Sequence, residues 1–300
     1  MTGKTDTAGF TASKTAMLGV GLIGGSISKA LITRGVCREV AGYFRREETM
    51  KTALAHGLVT RGTMSIEEAV SGADVVILAT GVDAIPPLAE CAAAFLQKET
   101  LVTDVGSVKG LIIDKVSAAL KGRPDVLFAG SHPLYGSHLQ GPAAGAKLDP
   151  TGKLAVVTPA KSRVNAEKAA VRTEALWQSI GMHTVRLDPE EHDRLLAFSS
   201  HLPHAVAGAL ARMLPQEADV LTATGFLDTT RIAAGSPKLW TEILCANSKA
   251  VAAALDAMIK DMKAFRKALG KNDREAVARM LEAGTAARAR LCEQMPPEEQ

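Results

Sequence analysis

The sequence predicts an α/β fold, with a parallel sheet and crossover helices in the first part of the chain and an all-α C-terminal domain after it. Between residues 15 and 188, short apolar runs alternate with helix-like stretches, the pattern of strands and crossover helices in a parallel sheet. From residue 189 onward the strand signal disappears, and long segments rich in Ala, Leu, Lys, Glu and Arg follow. We therefore predict a flexible tail at 1–14, a first domain at 15–188 and a helical domain at 189–300.

Seven segments of the first domain have the apolar character of buried strands. They are residues 16–20, 40–44, 75–80, 101–104, 126–129, 154–158 and 184–187. Between the first two, residues 26–34 place Ile27, Ala30 and Leu31 on one helical face, and Gly35 follows where a helix-terminating glycine is expected. This strand, helix and strand form a βαβ unit, the repeating element of a parallel sheet.

Composition and charge exclude several classes of protein. With 300 residues, of which 47% are hydrophobic and 22% charged, the chain has ordinary globular usage and can bury a large core. Its formal net charge of +3 is too small for a protein that neutralises many phosphates, and its 4% of aromatic residues argues against base stacking. We expect no nucleic-acid partner.

Nothing in the chain indicates secretion or a membrane. Residues 1–15 lack the apolar core of a secretion signal. The longest apolar run, 197–214, contains two His, one Arg and one Pro, so it does not match a membrane span. No CxxC pair occurs among the four widely spaced cysteines, which argues against a zinc site or a disulfide framework. They are Cys37, Cys91, Cys245 and Cys292, and we expect a reduced, cytoplasmic protein with no membrane partner.

A glycine-rich turn follows the first predicted strand. Gly19, Gly21 and Gly24 form a GxGxxG motif, with Leu22 and Ile23 between the last two glycines. In a strand-turn-helix context the first glycine permits the tight turn, the second lets the backbone approach a pyrophosphate, and the third lets the helix pack on the strand. The alternative is an ordinary glycine turn. The context favours a Rossmann-type dinucleotide-binding domain with these five residues at the cofactor.

The end of the second predicted strand bears on the choice of cofactor. An acidic residue is expected there in a protein that binds the 2′-hydroxyl of NAD, but position 44 is Phe. Arg45 and Arg46 follow, and two guanidinium groups suit a 2′-phosphate. We therefore expect NADP as the preferred cofactor. NAD stays possible, because Glu47 or Glu48 could replace the missing acid and both arginines could simply be solvated.

Four later segments combine reactive side chains with apolar surroundings: TDVGSVK at 103–109, GSHP at 130–133, SHLPH at 200–204 and DTTRI at 228–232. Three further motifs, GLIGGS, EEHD and SPKLW, lie before, between and after these segments within residues 17–251. The whole ordered set resembles the prephenate and arogenate dehydrogenases of tyrosine biosynthesis. Several ordered motifs are far more specific than any one of them. The departure from the family lies after GSHP, where many prephenate-preferring members have AGTE and this chain has LYGSH, including Tyr135 and His138.

The resemblance implies an NAD(P)-dependent oxidative decarboxylation of prephenate or L-arogenate. A hydride passes from the ring carbon bearing the 4-hydroxyl to the nicotinamide, and the ring carboxylate leaves as CO₂. By resemblance, His132 is the general base, Ser107 assists it beside the nicotinamide, and His201 and Arg231 bind the substrate. The helical region is expected to form a homodimer. The sequence does not decide between the two substrates.

Alternatives remain for the individual residues. His132 could be a loop histidine that binds backbone, and Arg231 could form a buried ion pair with Asp228. His201 and His204 have the spacing of a metal-binding pair. Further ligands would have to come from His192 or Asp193, about two and a half turns away on the same helix, so we expect no metal. For His204 we expect packing rather than catalysis. Pro203 should kink this helix.

Two other functions are compatible with the fold. One is another two-domain NAD(P) oxidoreductase of the β-hydroxyacid or imine reductase type, which would lack the GSHP and SHLPH segments. The other is a non-catalytic dinucleotide-binding sensor. The presence of His132, Ser107 and Arg231 argues against the sensor, because such a protein has no need of a base or a carboxylate clamp.

Overall fold

The computed structural model describes residues 9–137 and 139–293, which form eight strands and thirteen α-helices. The strands are β1 Ala12–Leu18, β2 Cys37–Tyr43, β3 Arg61–Thr63, β4 Val75–Leu78, β5 Leu101–Asp104, β6 Leu127–Pro133, β7 Leu154–Pro159 and β8 His183–Arg186. The helices are α1 Leu22–Thr33, α2 Glu47–Ala55, α3 Ile66–Val70, α4 Ile85–Ala93, α5 Gly110–Ala119, α6 Pro142–Gly145, α7 Ala166–Ser179, α8 Pro189–Leu196, α9 Leu202–Met213, α10 Thr224–Thr230, α11 Pro237–Ala246, α12 Ser248–Gly270 and α13 Arg274–Glu293.

The eight strands form one sheet in the order β3-β2-β1-β4-β5-β6-β7-β8. All neighbouring pairs are parallel except β6 and β7, which are antiparallel. The order reverses beside β1, because the chain runs outward through β2 and β3 and then returns to place β4 on the other side of β1. Such a switch point opens a crevice at the carboxyl ends of the strands, where α/β proteins bind ligands. The predicted α/β class is confirmed.

Both faces of the sheet are buried. Neighbouring residues of one strand point to opposite faces, so Met17 and Ile77 belong to one core cluster while Leu18 and Leu78 belong to the other. Trp177 of α7 is fully buried in the first cluster. This two-sided burial explains why the strands are continuous apolar runs rather than alternating ones.

The N-terminal boundary corrects one prediction. Strand β1 begins at Ala12, within the segment 1–14 that we expected to be a flexible tail; residues 1–8 lie outside the described residues. Ala12 pairs with Cys37, and the backbone N–H groups of Ser13 and Lys14 donate to the Asp74 carboxylate at 2.7 and 3.2 Å. The residues at the start of β1 are polar, so the sequence does not mark them as a buried strand. Their backbone is held in part by the side chain of Asp74, which is distant in sequence.

Contacts within the chain divide it after Ser248: the described residues up to Ser248 form one compact unit and those from Lys249 form a second. The sequence places a boundary near residue 188 instead. Residues 189–248 group with the sheet because Asp193 binds the backbone before α5 and α11 packs beside residues Val82–Ala84. After β8, the described residues contain no strand, in agreement with the predicted helical character. No helix in the described part of the chain is long and apolar enough to cross a membrane.

Candidate active site

The glycine-rich turn lies between β1 and α1 and has the shape of a cofactor cradle. Gly19 has a φ of +111°, and a Cβ there would lie 2.5 Å from the Ala79 carbonyl oxygen. A Cβ on Gly24 would lie 2.0 Å from the Gly19 carbonyl oxygen. Around Gly21, by contrast, no atom of the described residues other than its two chain neighbours lies within 4 Å of that position. The first and third glycines are therefore required for packing, and the second leaves open space over the turn.

The N-terminus of α1 completes this cradle. The helix begins at Leu22, directly followed by Ile23, and its N-cap residue Gly21 supplies no side-chain cap. The first N–H groups of a helix lack intrahelical acceptors and carry the positive end of its dipole, so they bind anions. No acidic side chain lies in the first turn to compete. The cradle thus fits the pyrophosphate of a dinucleotide.

The two arginines after β2 are free to bind a ligand. Phe44 is buried in the core, whereas Arg45 and Arg46 are exposed. Neither guanidinium has a hydrogen bond or ion pair with any described residue. Of the two acids that follow, Glu47 pairs with Lys51 at 2.9 Å on the surface of α2.

A chain of three side chains extends from β6 into α8. His132, in the GSHP segment at the end of β6, is buried, with its Nδ1 2.9 Å from Nε2 of His192. The Nδ1 of His192 lies 2.8 Å from Oδ1 of Asp193. The same carboxylate accepts hydrogen bonds from the backbone N–H groups of Lys109, at 2.7 Å, and Gly110, at 2.9 Å, at the start of α5. A carboxylate at a helix N-terminus is favourable, so the helix fixes the chain at its far end.

This chain determines which nitrogen of His132 holds a lone pair. Asp193 can only accept, so Nδ1 of His192 carries a proton and donates it. In neutral His192 the Nε2 must then accept, so Nδ1 of His132 is the donor in the bond between the two rings. The remaining nitrogen of His132, Nε2, is therefore an unprotonated acceptor. A histidine in this tautomer can remove a proton from a hydroxyl placed against Nε2.

Burial and neighbouring charges keep the two rings neutral. Burial lowers the pKa of His132 well below its ordinary value of 6.5, and His192, Lys109 and His201 lower it further. Burial also lowers the pKa of His192, although its hydrogen bond to Asp193 opposes the shift. For Asp193, burial raises the pKa, but hydrogen bonds from His192 and from backbone N–H groups hold it below 3.8. At neutral pH, His132 and His192 are therefore neutral imidazoles and Asp193 is a carboxylate.

The helix that carries His201 is interrupted by a π-helical turn at Ala197–His201, and α9 begins at Leu202 with Pro203 in its first turn. Pro203 has no N–H to donate to the carbonyl four residues earlier. Where the sequence predicts a kink, the structure has a π-helical turn that ends at His201. Such turns are frequent at functional sites.

His201 is 1% exposed and held through one nitrogen only. The side-chain Nδ2 of Asn247 donates to the Asp193 carbonyl at 2.8 Å and lies 3.1 Å from Nδ1 of His201. Because the amide nitrogen can only donate, Nδ1 of His201 accepts and Nε2 carries the proton. That Nε2 has no partner among the described residues. Burial lowers the pKa of His201 to about 4, so the ring is a neutral donor with an unused N–H.

His204 has the packing role that the sequence suggested. Its ring stacks on Trp240 at a centroid distance of 3.3 Å, and its Nδ1 lies 3.1 Å from the Ser200 carbonyl oxygen. Trp240 also meets His201 edge-on at 6.3 Å. Arg231 is exposed and lies near enough to His204 that, after the larger effect of burial, its charge lowers the pKa of that ring.

The other predicted site residues are placed more loosely. Ser107 is half-buried in the turn between β5 and α5, and its hydroxyl has no hydrogen bond with the described residues. Arg231 forms no ion pair with Asp228 in the described part of the chain. The Tyr135 hydroxyl is 2.7 Å from Ser26 of α1, and burial raises the pKa of Tyr135 to about 12. His138 lies outside the described residues. Within the described ranges, no cluster of three His, Cys, Asp or Glu side chains could hold a metal ion.

Sequence reasoning missed the partners of the predicted base. His192 and Asp193 entered only as possible metal ligands, and Asn247 and Trp240 were not singled out. The EEHD motif was a signal for the first two, because it belongs to the family pattern and is polar on a helix next to the site. Nothing in the sequence showed that this motif contacts GSHP, which lies 60 residues away.

Comparison with known proteins identifies the family of this chain. The family model for the nucleotide-binding domain of prephenate dehydrogenase matches residues 27–186. The model for the dimerization domain of prephenate dehydrogenase matches residues 188–283. The chain is also 33% identical over 267 residues to a cyclohexadienyl dehydrogenase of Zymomonas mobilis, covering 86% of this chain and 89% of that protein.

Solved structures show the same likeness. A prephenate dehydrogenase from A. aeolicus, in complex with hydroxyphenyl propionate and NAD⁺, has a TM-score of 0.83 and 28% identity, covering 93% of this chain and 98% of that chain. An arogenate dehydrogenase from Synechocystis has a TM-score of 0.77 and 26% identity, covering 93% of this chain and 99% of that chain. With both family models covering most of its length, the chain belongs to the prephenate dehydrogenase family and is an oxidoreductase.

Proposed function

We propose that this protein catalyses the NAD(P)-dependent oxidative decarboxylation of prephenate or L-arogenate in tyrosine biosynthesis, with His132 as the general base. The observation that carries the proposal is the chain from His132 through His192 to Asp193, which leaves the lone pair of His132 on Nε2. A base in this state can accept a proton from a substrate hydroxyl at neutral pH. The family membership supports the substrate class.

In the proposed reaction, the proton of the ring hydroxyl goes to Nε2 of His132, the ring carboxylate leaves as CO₂, and the electron pair of the broken bond completes the aromatic ring. The proton on His132 then returns to the phenolate oxygen, which gives the phenol and regenerates the base. When bound, the nicotinamide accepts the hydride from the carbon that bears the hydroxyl. The positive charge that reaches the two imidazoles is balanced by Asp193, which lies against Nδ1 of His192.

The proposed substrate carries two carboxylates, so the site must supply hydrogen-bond donors or cationic groups to bind them. The unused Nε2–H of His201 supports a hydrogen bond to one carboxylate, because a buried donor without a partner costs about 1–3 kcal/mol. We propose Arg231 as the second contact, since its guanidinium has no partner among the described residues and lies near His204. We propose Ser107, with its free hydroxyl in the turn after β5, as the residue that assists His132 beside the nicotinamide.

The test is an initial-rate assay that pairs prephenate and L-arogenate with NADP⁺ and NAD⁺. Reduced nicotinamide and aromatic product are measured together. We expect turnover with at least one ring acid, with one aromatic product formed per reduced nicotinamide. Absence of product in all four combinations, from folded protein that binds the cofactor, would overturn the proposal and favour a dinucleotide-binding sensor.

We further propose NADP as the preferred cofactor, on the basis of the two unpaired guanidinium groups of Arg45 and Arg46. Replacing both with Ala should raise KM for NADP⁺ about 10- to 100-fold, because hydrogen bonds to a charged phosphate are lost. KM for NAD⁺ should change little. Arg38→Ala is the matched control, since Arg38 is exposed at the opposite end of β2. Equal changes with both cofactors, or a wild-type preference for NAD⁺, would contradict this assignment.

The two parts of the chain have different proposed roles. We infer that residues 15–188 bind the dinucleotide and that residues 189–300 contribute to substrate binding and form a homodimer. The segment 216–234 supports association, because the elements within it bury no residue, and Val220 and Leu221 are 89% and 80% exposed. The match to a dimerization domain is consistent with this. In the described part of the chain, Cys37, Cys91 and Cys245 form no disulfide, which favours a reducing compartment such as the cytoplasm.

A further inference from the structure

A fully buried ion pair lies beneath the proposed base. Asp104 ends β5 and Lys109 precedes α5, and neither side chain is exposed to solvent. The Lys109 ammonium contacts the Asp104 carboxylate and donates to the Ser131 carbonyl oxygen at 2.7 Å. Burying two charges costs free energy that a pair of apolar side chains would not, so such a pair is weak evidence for a role in stability. Its contacts indicate another role.

The Asp104 carboxylate also binds the backbone on both sides of the site. Its Oδ2 accepts from the N–H of Gly106 at 2.8 Å, and its Oδ1 accepts from the N–H of Ser131 at 3.1 Å. Gly106 immediately precedes Ser107, and Ser131 immediately precedes His132. One carboxylate therefore fixes the backbone next to two proposed catalytic residues, Ser107 in the turn after β5 and His132 in β6.

Lys109 connects the same pair to the far end of the histidine chain. While its side chain reaches Asp104 and the Ser131 carbonyl, its backbone N–H donates to Oδ1 of Asp193. Asp193 binds His192, which binds His132, and the chain returns through Ser131 to Asp104. The hydrogen bonds close into a ring that contains the base, its partner and the ion pair.

We propose that Asp104 and Lys109 are positioning residues for the base: they lock the backbone of β6 and the start of α5 so that His132, His192 and Asp193 stay in line, and they set the charge beneath His132. The inference rests on the proposed role of His132. It assigns to the DVGSVKG segment a function beyond placing Ser107 near the cofactor.

The charges around His132 give the direction of the expected effect. His192, Lys109 and His201 face it as groups that disfavour a proton, while Asp193 and Asp104 are the nearby carboxylates. Burial is the largest cause of the low pKa of His132, and His192 and Lys109 follow. The Lys109 ammonium is one of the charges that lower the pKa of His132, so its removal should raise that pKa.

The experiment compares Lys109→Met with the double variant Asp104→Asn, Lys109→Met, in the full-length protein with prephenate or L-arogenate, whichever is turned over. In Lys109→Met, the acid limb of the kcat/KM profile should move upward by about one pH unit. In the charge-balanced double variant the limb should return to the wild-type position. In both, kcat should fall about 10- to 100-fold, because the base is displaced from its alignment.

The matched control is Lys115→Met. Lys115 is an exposed lysine on α5, so its replacement should leave both the pH profile and kcat unchanged. An unmoved acid limb in folded Lys109→Met would overturn the inference. If Lys109→Met does not fold, the double variant decides alone: a reduced kcat with a wild-type acid limb supports the inference, and a wild-type kcat overturns it.

Failure of this inference can be told apart from failure of the proposed function. If His132→Asn abolishes turnover while Lys109→Met keeps the wild-type acid limb, His132 is the base and the ion pair does not position it. If His132→Asn retains wild-type turnover, the proposed function itself is wrong, and the inference falls with it.

Discussion

Replacement of His132 by Asn is expected to lower kcat by about 10²- to 10⁴-fold, the range associated with losing a general base. The Asn side chain can still bond to Nε2 of His192, so the local structure is retained, but it has no basic lone pair for the substrate hydroxyl. Affinity for the dinucleotide should stay close to wild type, because the glycine-rich turn lies between β1 and α1, and strands β4 and β5 separate β1 from β6 in the sheet. Steady-state rates and a cofactor fluorescence titration measure the two quantities.

His183→Asn is the matched control, since His183 is an exposed histidine on β8 and should tolerate the change without loss of turnover. A His132→Asn enzyme that binds cofactor and keeps wild-type kcat would remove His132 from the mechanism. A variant that no longer binds cofactor would indicate a structural role, and thermal unfolding would identify it.

Replacement of Asp193 by Asn should lower kcat by about 10²- to 10³-fold, although Asp193 does not contact the substrate. Its carboxylate accepts three hydrogen bonds, from His192 and from the N–H groups of Lys109 and Gly110. An amide has one oxygen, so its NH₂ must face either a backbone N–H or Nδ1 of His192. The latter reverses the tautomers of both rings and removes the lone pair from Nε2 of His132. In either orientation, the developing imidazolium loses its counter-charge.

This prediction separates positioning from folding. A misplaced amide leaves one helix-terminal N–H unsatisfied, so we expect a loss of about 1–3 kcal/mol in the free energy of unfolding, measured by urea titration. Glu191→Gln is the control, because Glu191 lies on the same helix and pairs with Arg194 on the surface at 2.6 Å. Full activity of folded Asp193→Asn would show that the carboxylate has no part in preparing the base.

The cofactor end of the site could be predicted from sequence because its chemistry is local. Gly19, Gly21 and Gly24 lie within six consecutive residues, and the turn they form depends on backbone sterics that a Cβ on Gly19 or Gly24 would violate. The alternation of apolar runs and helices likewise predicts a parallel sheet without knowledge of contacts. The same holds for Arg45 and Arg46, which follow a strand end directly.

The proposed catalytic end could be predicted only in part. His132 and His201 were identified through family motifs, but the sequence gives no distance between them and their partners. His132 meets a histidine 60 residues later, and Asp193 meets the start of a helix 84 residues earlier. Asp104 and Lys109 would also be expected on the surface from the sequence alone, because charged side chains are rarely buried unless they are paired.

The sequence by itself thus determined the α/β class and the dinucleotide turn, since each depends on local periodicity or on residues in one short motif, and the resemblance of several ordered motifs to a family indicated the candidate base. Only the tertiary structure decided that His132 is joined to His192 and Asp193, that His201 keeps an unused N–H, and that a buried ion pair closes the ring. Tautomers and pKa values depend on what surrounds a group in space. The contacts of α8 with β6, with the start of α5 and with Asn247 after α11 supply those surroundings.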